Sequence, residues 1–433
     1  MAHVAILCPA AGGHLFPTGS LGCELRRRGH EVTIVARSGA APIAEQLGLP
    51  LCELPEEDGP EFRPPTRASL AVARLFGFAP YVGLRARFRY NAEFYLEMVP
   101  ALLRDLRVDG VLVDQTILAG GTIAEQLGIP YVSVCSAMHW NREAEVPPHF
   151  TDWSYAQNSW ARARNAMGYA AWDHYVQPAL KIINRYRTSW KLPPLPSVEG
   201  IYSPLAEIAQ TCAEFDFPRR ELPETFHYGG ALAADRPCPN DDFPWDQLDG
   251  RPLIYASLGT VSSNRRHEIF RKIAVACADL DAQLVISAGS WEEDEKVTRH
   301  DLSELPGNPL VMDFVPQIAL LKKADLLITH AGQNTVVEAL TLAVPMVALP
   351  RGADQPALAA RLERSGAGLR TSFFHLSARH LKQLVQRALS EESYREKVRS
   401  LQQGMIATGG VQRAAEIAER ALTTGQPQPR DKE

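Results

Sequence analysis

Two histidines stand where apolar runs give way to small-residue turns, and they are the residues best placed to do chemistry. His14 lies in AGGHLFP, directly after the run VAILCP. An imidazole with an unperturbed pKa of about 6.5 takes up a proton near neutrality, which suits a general base. Taken alone, a loop histidine is more often a turn or solvated residue. His330 opens HAGQNTVVEAL, directly after LLIT. A strand that ends in a small-residue turn and opens a helix presents unpaired backbone N–H groups and a partial positive charge, a ready anion site. Thr335 adds a hydroxyl in the first turn, and His330 offers a charge-assisted hydrogen bond to a phosphate. Two turns on, the Glu338 carboxylate suits a pair of vicinal hydroxyls. Pattern alone leaves an ordinary strand-to-helix turn as the alternative.

A histidine base is commonly oriented by a carboxylate, as in the serine triad with substrate in place of the nucleophile. Asp114 ends the run GVLVD and would lie at the carboxyl edge of its strand, whereas Asp109 begins that strand and falls at the opposite edge. A helix cap is the competing role for Asp114. Asp279-Leu280-Asp281 has the form of a metal-binding DxD but closes a helix, and it reads as a solvated turn. The chain has no HExxH, GxSxG or Walker-type GKS/T motif.

These residues need rigid elements behind them. Short Val- and Ile-rich runs alternate with longer amphipathic ones, the pattern of a parallel sheet with crossover helices. Strands are expected at 4–9, 31–36, 110–113 and 131–134, with helices at 15–28 and 121–128. Pro17 fits the first turn of the first helix and Gly29 its stop. The pattern restarts after residue 250, with strands at 253–257, 283–288, 310–314, 326–329 and 346–349 and a helix at 266–280. Between the halves, ADRPCPNDDFPWDQLDGRP holds four prolines and five aspartates with little periodicity, the composition of a linker. The chain thus reads as α/β: two doubly wound domains, 1–234 and 252–423, joined by 235–251 and facing each other across a cleft that is the default ligand site. The tail 424–433 reads as disordered. The segment 142–196 is rich in Trp and Tyr, either core packing or an apolar wall for a bulky ligand.

Composition narrows the function classes. The chain has 433 residues, of which 45% are hydrophobic and 22% charged, with a formal net charge of −5. That is an ordinary folded protein without a whole-molecule pull toward nucleic acid. The seven cysteines are scattered with no CxxC pair, which fits a reducing compartment. The uncharged start lacks a basic n-region and is interrupted by Pro9, Gly12, Gly13 and Pro17, so it reads as no signal peptide. No run of about twenty apolar residues spans a bilayer. A cytoplasmic protein is expected. Arginines between 67 and 107, mixed with Leu, Phe and Tyr, suggest either a solvated helix face or a peripheral membrane contact.

The stretch FVPQIALLKKADLLITHAGQNTVVEALTLAVPMVALPRGADQ, residues 314–355, resembles the donor-binding signature of the family-one, UDP-sugar-dependent glycosyltransferases of GT-B fold. An aromatic-x-Pro-Gln start, His-x-Gly-x-Asn-Ser/Thr-x-x-Glu, Val-Pro and Asp-Gln follow in order, and GGHLFP resembles the family's N-terminal Gly-His-x-x-Pro element. The resemblance implies two Rossmann-like domains. It implies that His14 is the base and Asp114 its partner. It further implies that Phe314 and Val315 lie at the nucleobase, with Phe314 where plant members carry a stacking Trp, and that Gln317 helps hold the base. His330, Gly332, Gln333, Asn334 and Thr335 would surround the diphosphate, with Ser257, Gly259 and Thr260 in the loop beside it. Glu338 would clamp the ribose, and Asp354 and Gln355 would bind the sugar hydroxyls. Gln333 stands where plant members have Trp, and Ala343 where they have Gly. Retaining enzymes of this fold carry a second glutamate eight residues past the first, and here that position is Met346.

The overall look is nearest to bacterial carotenoid (zeaxanthin) and macrolide glycosyltransferases. It implies an inverting transfer of a hexose, with glucose the first choice, from a UDP-sugar to a hydroxyl of a lipophilic carotenoid, terpenoid or polyketide. Neither a metal nor a cofactor is implied. Two readings compete: a cell-envelope glycolipid transferase, whose Gly-Gly-x-Gly-Gly-His motif is partly echoed by Ala11-Gly12-Gly13-His14, and a UDP-sugar isomerase or non-catalytic sugar-nucleotide binder.

Overall fold

In the computed structural model, which describes residues 1–55, 82–232, 243–259, 266–289 and 304–430, the alternating runs fold into two parallel sheets. The first comprises β1 (His3–Leu7), β2 (Glu31–Arg37), β3 (Leu51–Leu54), β4 (Gly110–Asp114), β5 (Tyr131–Cys135), β6 (Glu207–Ala209) and β7 (Phe226–Tyr228), in the order β3-β2-β1-β4-β5-β6-β7. The second comprises β8 (Leu253–Ser257), β9 (Gln283–Ser287), β10 (Leu310–Met312), β11 (Leu326–Thr329), β12 (Met346–Ala348) and β13 (Gly368–Arg370), in the order β10-β9-β8-β11-β12-β13.

Every strand pair is parallel, with Val4 opposite Val32 and Gly110, and Leu327 opposite Tyr255 and Met346. Helices cover both faces, so the central strands are apolar throughout, and β1, β4, β5, β8 and β11 are almost wholly buried. Each strand order reverses once, between β1 and β4 and between β8 and β11. A crevice opens at the carboxyl ends of such a pair. His14 and Asp114 flank the first switch point, and Gly259 and His330 flank the second.

Several details differ from the sequence-based expectation. The first helix, Gly12–Arg27, begins three residues early, so His14 sits in its first turn rather than in a loop. The short strands β6, β7 and β13 carry too few residues for periodicity to reveal them. The last helix, Gly410–Thr424, leaves the second domain and buries Ala414, Ala418, Ala421 and Leu422 against Val4, Ile6, Leu112 and Val132 of the first. A Cβ on Gly110 would meet Leu422 Cδ2 at 2.9 Å, so strand β4 starts with a glycine where this helix crosses it.

The segment 425–430 is held through its main chain. Gln428 N donates to Leu205 O at 2.8 Å and Arg430 N to Glu224 O at 2.7 Å. Composition, which predicts disorder there, reports on side chains and not on such bonds. Of the linker, 243–251 are described, and Phe243 and Trp245 pack on the second domain's core.

The aromatic-rich segment supplies core packing. Helix Ser159–Ser189 lies along helix Val82–Leu106, and Trp172 is enclosed by Phe88, Trp140, His149, Phe150 and Tyr175 with ring centroids 4.5–6.3 Å apart. Arg87 and Arg89 of the arginine-bearing helix are exposed, and Arg104 donates to Gln126. Arg67 and Arg74 lie outside the described residues. No described helix is long and apolar enough to cross a membrane.

Candidate active site

The carboxyl edge of the first sheet assembles a histidine–aspartate pair. Asp114 closes β4 fully buried, and its Oδ2 lies 3.1 Å from His14 Nδ1, while the imidazole keeps a quarter of its surface exposed. Burial alone would push the Asp114 carboxyl up. The His14 charge and hydrogen bond, together with bonds from Thr116 N (2.9 Å) and Thr116 Oγ1, outweigh it and hold the carboxyl below its ordinary range. Burial likewise opposes charge on His14, but Asp114, and more distantly Asp354, prevail and raise the imidazole above its ordinary value. The two shifts have one cause, mutual stabilisation of the charged forms. With Nδ1 on the carboxylate, Nε2 is the nitrogen left to face a reactant. The competing reading of Asp114 as a helix cap fails here, since the Ala119 N-cap of helix Gly120–Leu127 takes no side-chain bond.

The backbone around this histidine is pinned from several sides. Thr18 Oγ1 donates to His14 O at 3.0 Å, and Ser136 Oγ to the same carbonyl at 3.3 Å. From the second domain, Asn334 Nδ2 donates to Gly13 O at 3.0 Å. The first turn of helix Gln333–Thr341 therefore touches the turn that carries His14. That helix follows β11 with Gly332 as N-cap and no side-chain cap, so its first amides point out of the helix end. Ala331 is left-handed at φ 64°. Gly332 and Gly259 flank the His330 ring, where added Cβ atoms would lie 2.4 Å from Nε2 and 2.6 Å from Cε1 respectively. Gly259 also has φ 73°. No larger residue fits at either point without displacing the imidazole. Ser257 and Thr335 are buried beside this turn. Thr260 lies outside the described residues.

Deeper along the same helix, Glu338 is 3% exposed and accepts from Gln317 Nε2, and Gln317 Oε1 accepts from Tyr255 OH at 3.0 Å. The Glu338 carboxylate, which can only accept, thus fixes the Gln317 amide with its nitrogen inward, and Tyr255, in the middle of β8, donates to the other end. Phe314 stands 52% exposed just before this group, with Val315 packed on the domain core. Asp354 precedes helix Gln355–Ser365, but its carboxylate does not cap it. Oδ2 instead accepts Met138 N of the first domain at 3.0 Å, and burial raises the carboxyl above its ordinary range. Gln355 Oε1 accepts from Arg351 N at 2.9 Å and Gly352 N at 3.3 Å. Ala343, in place of the family's glycine, is left-handed at φ 56°, the conformation in which glycine carries no Cβ penalty.

His14, Asp114, Ser257, Gly259 and the run from His330 to Glu338 thus lie at the two switch points or on the helices leaving them, whereas Phe314, Val315 and Gln317 follow β10 and Asp354 and Gln355 follow β12 of the same second sheet. Those the sequence did not single out are Thr18, Ser136, Met138, Gln210 and Tyr255, which orient the others. Only Tyr255, as a polar-tipped ring in an otherwise apolar strand, left a trace in the sequence. Asp279 is exposed and paired with Lys382 at 3.0 Å, as expected for a solvated turn, and the described residues hold no cluster of His, Cys, Asp and Glu suited to a metal.

Comparison with known proteins agrees with this geometry. The family model for UDP-glucoronosyl and UDP-glucosyl transferase matches residues 97–403. The chain is similar to the zeaxanthin glucosyltransferase of Pantoea ananas, 31% identical over 99% of this chain and 97% of that one. It is 32% identical to the zeaxanthin glucosyltransferase of Pseudescherichia vulneris, over 98% of each. Among solved structures, the glycotransferase of kitacinnamycin superposes with a TM-score of 0.72 at 23% identity, covering 97% of this chain and 99% of that one, which is a shared GT-B fold.

Proposed function

Since the chain belongs to the UDP-glucoronosyl and UDP-glucosyl transferase family, we propose that it moves a hexose, glucose first, from a UDP-sugar to a hydroxyl of a lipophilic small molecule with inversion at the anomeric carbon. The observation that carries this reading is the joint between the two switch points: the His14–Asp114 pair at 3.1 Å and the Asn334–Gly13 bond at 3.0 Å put the carboxylate-paired imidazole beside the start of helix Gln333–Thr341.

The chemistry follows from that placement. His14 Nε2 takes the proton of the acceptor hydroxyl as its oxygen attacks the anomeric carbon. The bond from that carbon to the β-phosphate oxygen breaks, and UDP leaves with the electron pair. Asp114 steadies the imidazolium that forms. The helix-end amides at 333–335 and the His330 side chain meet the charge growing on the diphosphate, the task a divalent ion performs in other transferases, so we infer a metal-independent reaction. Glu338, held by Gln317, suits the ribose hydroxyls, and Phe314 offers its half-exposed ring to the base. Asp354, which meets Met138 N of the first domain, and Gln355 beside it suit the sugar hydroxyls.

A lipophilic acceptor is supported by the two zeaxanthin glucosyltransferases that match the chain end to end. The exposed arginines of helix Val82–Leu106 suit an anionic membrane surface from which such a molecule would be drawn. The six described cysteines are free, which favours a cytoplasmic site. The test is to offer UDP-glucose with a detergent-dispersed hydroxylated carotenoid and to read product mass and anomeric configuration. A β-linked glucoside supports the reading. UDP release without acceptor points to a hydrolase, conversion of the UDP-sugar to an isomer with UDP still attached points to an isomerase, and a product formed only with envelope lipid extracts points to a glycolipid enzyme.

Two further outcomes are expected. Asp114→Asn removes the charge that raises His14 while burial remains. Because the base must be unprotonated, the rising limb of kcat against pH should move to lower pH while its plateau falls. An unmoved limb would deny the pairing. Glu338→Ala should weaken UDP-sugar binding by about 1.5–3 kcal/mol, the range for hydrogen bonds to a charged group, and weaken a 2′,3′-dideoxyribose analogue much less. Calorimetry on both ligands checks this, and equal losses would remove Glu338 from the ribose.

A further inference from the structure

We propose that Gln210 is a positioning residue for the transfer, fixing the Asn334 side chain so that its amide nitrogen faces the His14 turn across the domain boundary. This rests on His14 acting as the base.

Donor and acceptor parity sets the orientation of these amides. A primary amide has one end that only donates and one that only accepts. Gln210 lies just past β6 in the first domain, 2% exposed. Its Nε2 lies 3.0 Å from Ser136 O, a backbone carbonyl that can only accept, so the NH2 end must face that way. The same nitrogen meets Asn334 Oδ1. That oxygen is the accepting end of Asn334, so its NH2 is turned toward Gly13 O at 3.0 Å, which again can only accept. No member of this chain can flip without setting two acceptors or two donors face to face.

Gln210 is itself held by its main chain. Its N–H donates to Cys135 O at 3.2 Å, and its carbonyl accepts from Gln333 Nε2. The Gln333 side chain, at the position where plant relatives carry Trp, thus serves to anchor the residue that sets Asn334. Ser136, the other acceptor of Gln210, reaches His14 O through its hydroxyl. The Gln210 side chain therefore ties the loop after β5 to the start of the donor-side helix, and the two residues it holds, Ser136 and Asn334, each donate to one carbonyl of the His14 turn. Since a displacement of about 1 Å between reacting groups costs on the order of a hundredfold in rate, a residue that sets this spacing acts on kcat.

The test is a double-mutant cycle on the full chain, with kcat measured at saturating donor and acceptor. Gln210→Leu, close in volume and without a donor, is expected to lower kcat about tenfold or more. In the Asn334→Ala background the same substitution is expected to change kcat by less than about twofold, because the group it positions is gone. Gln210→Glu keeps size and polarity but places acceptors against Asn334 Oδ1 and Ser136 O, and it should lose as much kcat as Gln210→Leu, together with some Tm because the new carboxyl is buried without a donor. Equal losses in both Asn334 backgrounds, or a Gln210→Glu enzyme within about twofold of the parent, overturn the proposal. His14→Ala in the same assay separates the two claims: full activity there defeats the base reading, whereas the cycle reports the coupling of Gln210 to Asn334 whichever residue takes the proton.

Discussion

His14→Ala is expected to lower kcat by a factor of about 10²–10⁴, the usual contribution of a positioned general base, while UDP binding stays close to that of the parent. The split follows from the geometry. The imidazole belongs to the first domain and is bound to Asp114, whereas the groups suited to the nucleotide, from Phe314 and Gln317 to Glu338, lie along the second. Removing His14 leaves Asp114 buried without its partner. The carboxyl should then drift up toward protonation, which limits the damage to the fold. Rapid quench of product, with calorimetry of UDP on the same preparation, reads both halves. Loss of UDP binding in step with kcat would mean that the histidine serves the donor and not the acceptor.

The second large effect concerns stability. Asp216→Leu is expected to cost about 3–5 kcal/mol, the range for breaking a buried ion pair from one side, and to lower Tm by several degrees. Asp216 is fully buried in the first domain and Arg361 is 1% exposed in the second, on the helix that Asp354 precedes. Arg361 Nε donates to Asp216 Oδ1 at 2.8 Å, and Arg219 Nε and Tyr228 OH donate to Oδ2 at 2.9 and 3.2 Å, with His139 Nε2 at 2.9 Å from that oxygen. Burial would raise this carboxyl, but the two guanidinium groups hold it well below the ordinary range. Taking the carboxylate away leaves two cations in a dry site, Arg361 stacked 4.2 Å over the Phe217 ring and Arg219 beside it. Circular dichroism on heating checks the fall, and an unchanged Tm would mean that the network is not worth its partners. Because Arg361 sits two turns behind Asp354, the same variant should also raise the KM for the sugar donor.

What could be read from the chain and what could not divide along a physical line. The His14 turn and HAGQNTVVEAL are legible because each depends on a strand ending and a helix beginning within a few residues, and local patterning reports that. Asp114 is legible for the same reason, being the last residue of an apolar run. The pairings that complete the site join residues far apart: Gln210 to Asn334, 124 positions away, Met138 to Asp354 at 216, and Asp216 to Arg361 at 145. Asn334 and Asp354 stand in the recognised motif, but nothing near Gln210, Met138, Asp216 or Arg361 marks them as partners, because each contact exists only when two domains meet. The last helix misleads for a related reason. Its alanine-rich face suits any sheet, and only the return of the chain shows that the first domain's sheet is the one it covers.

The most direct test of the account is a crystal structure with UDP bound. The account places the diphosphate within hydrogen-bond distance of the backbone amides at 333–335, the ribose at Glu338 and the β-phosphate on the side of the cleft that His14 faces. Density for the nucleotide away from that helix end, or with its β-phosphate turned from His14, would contradict it.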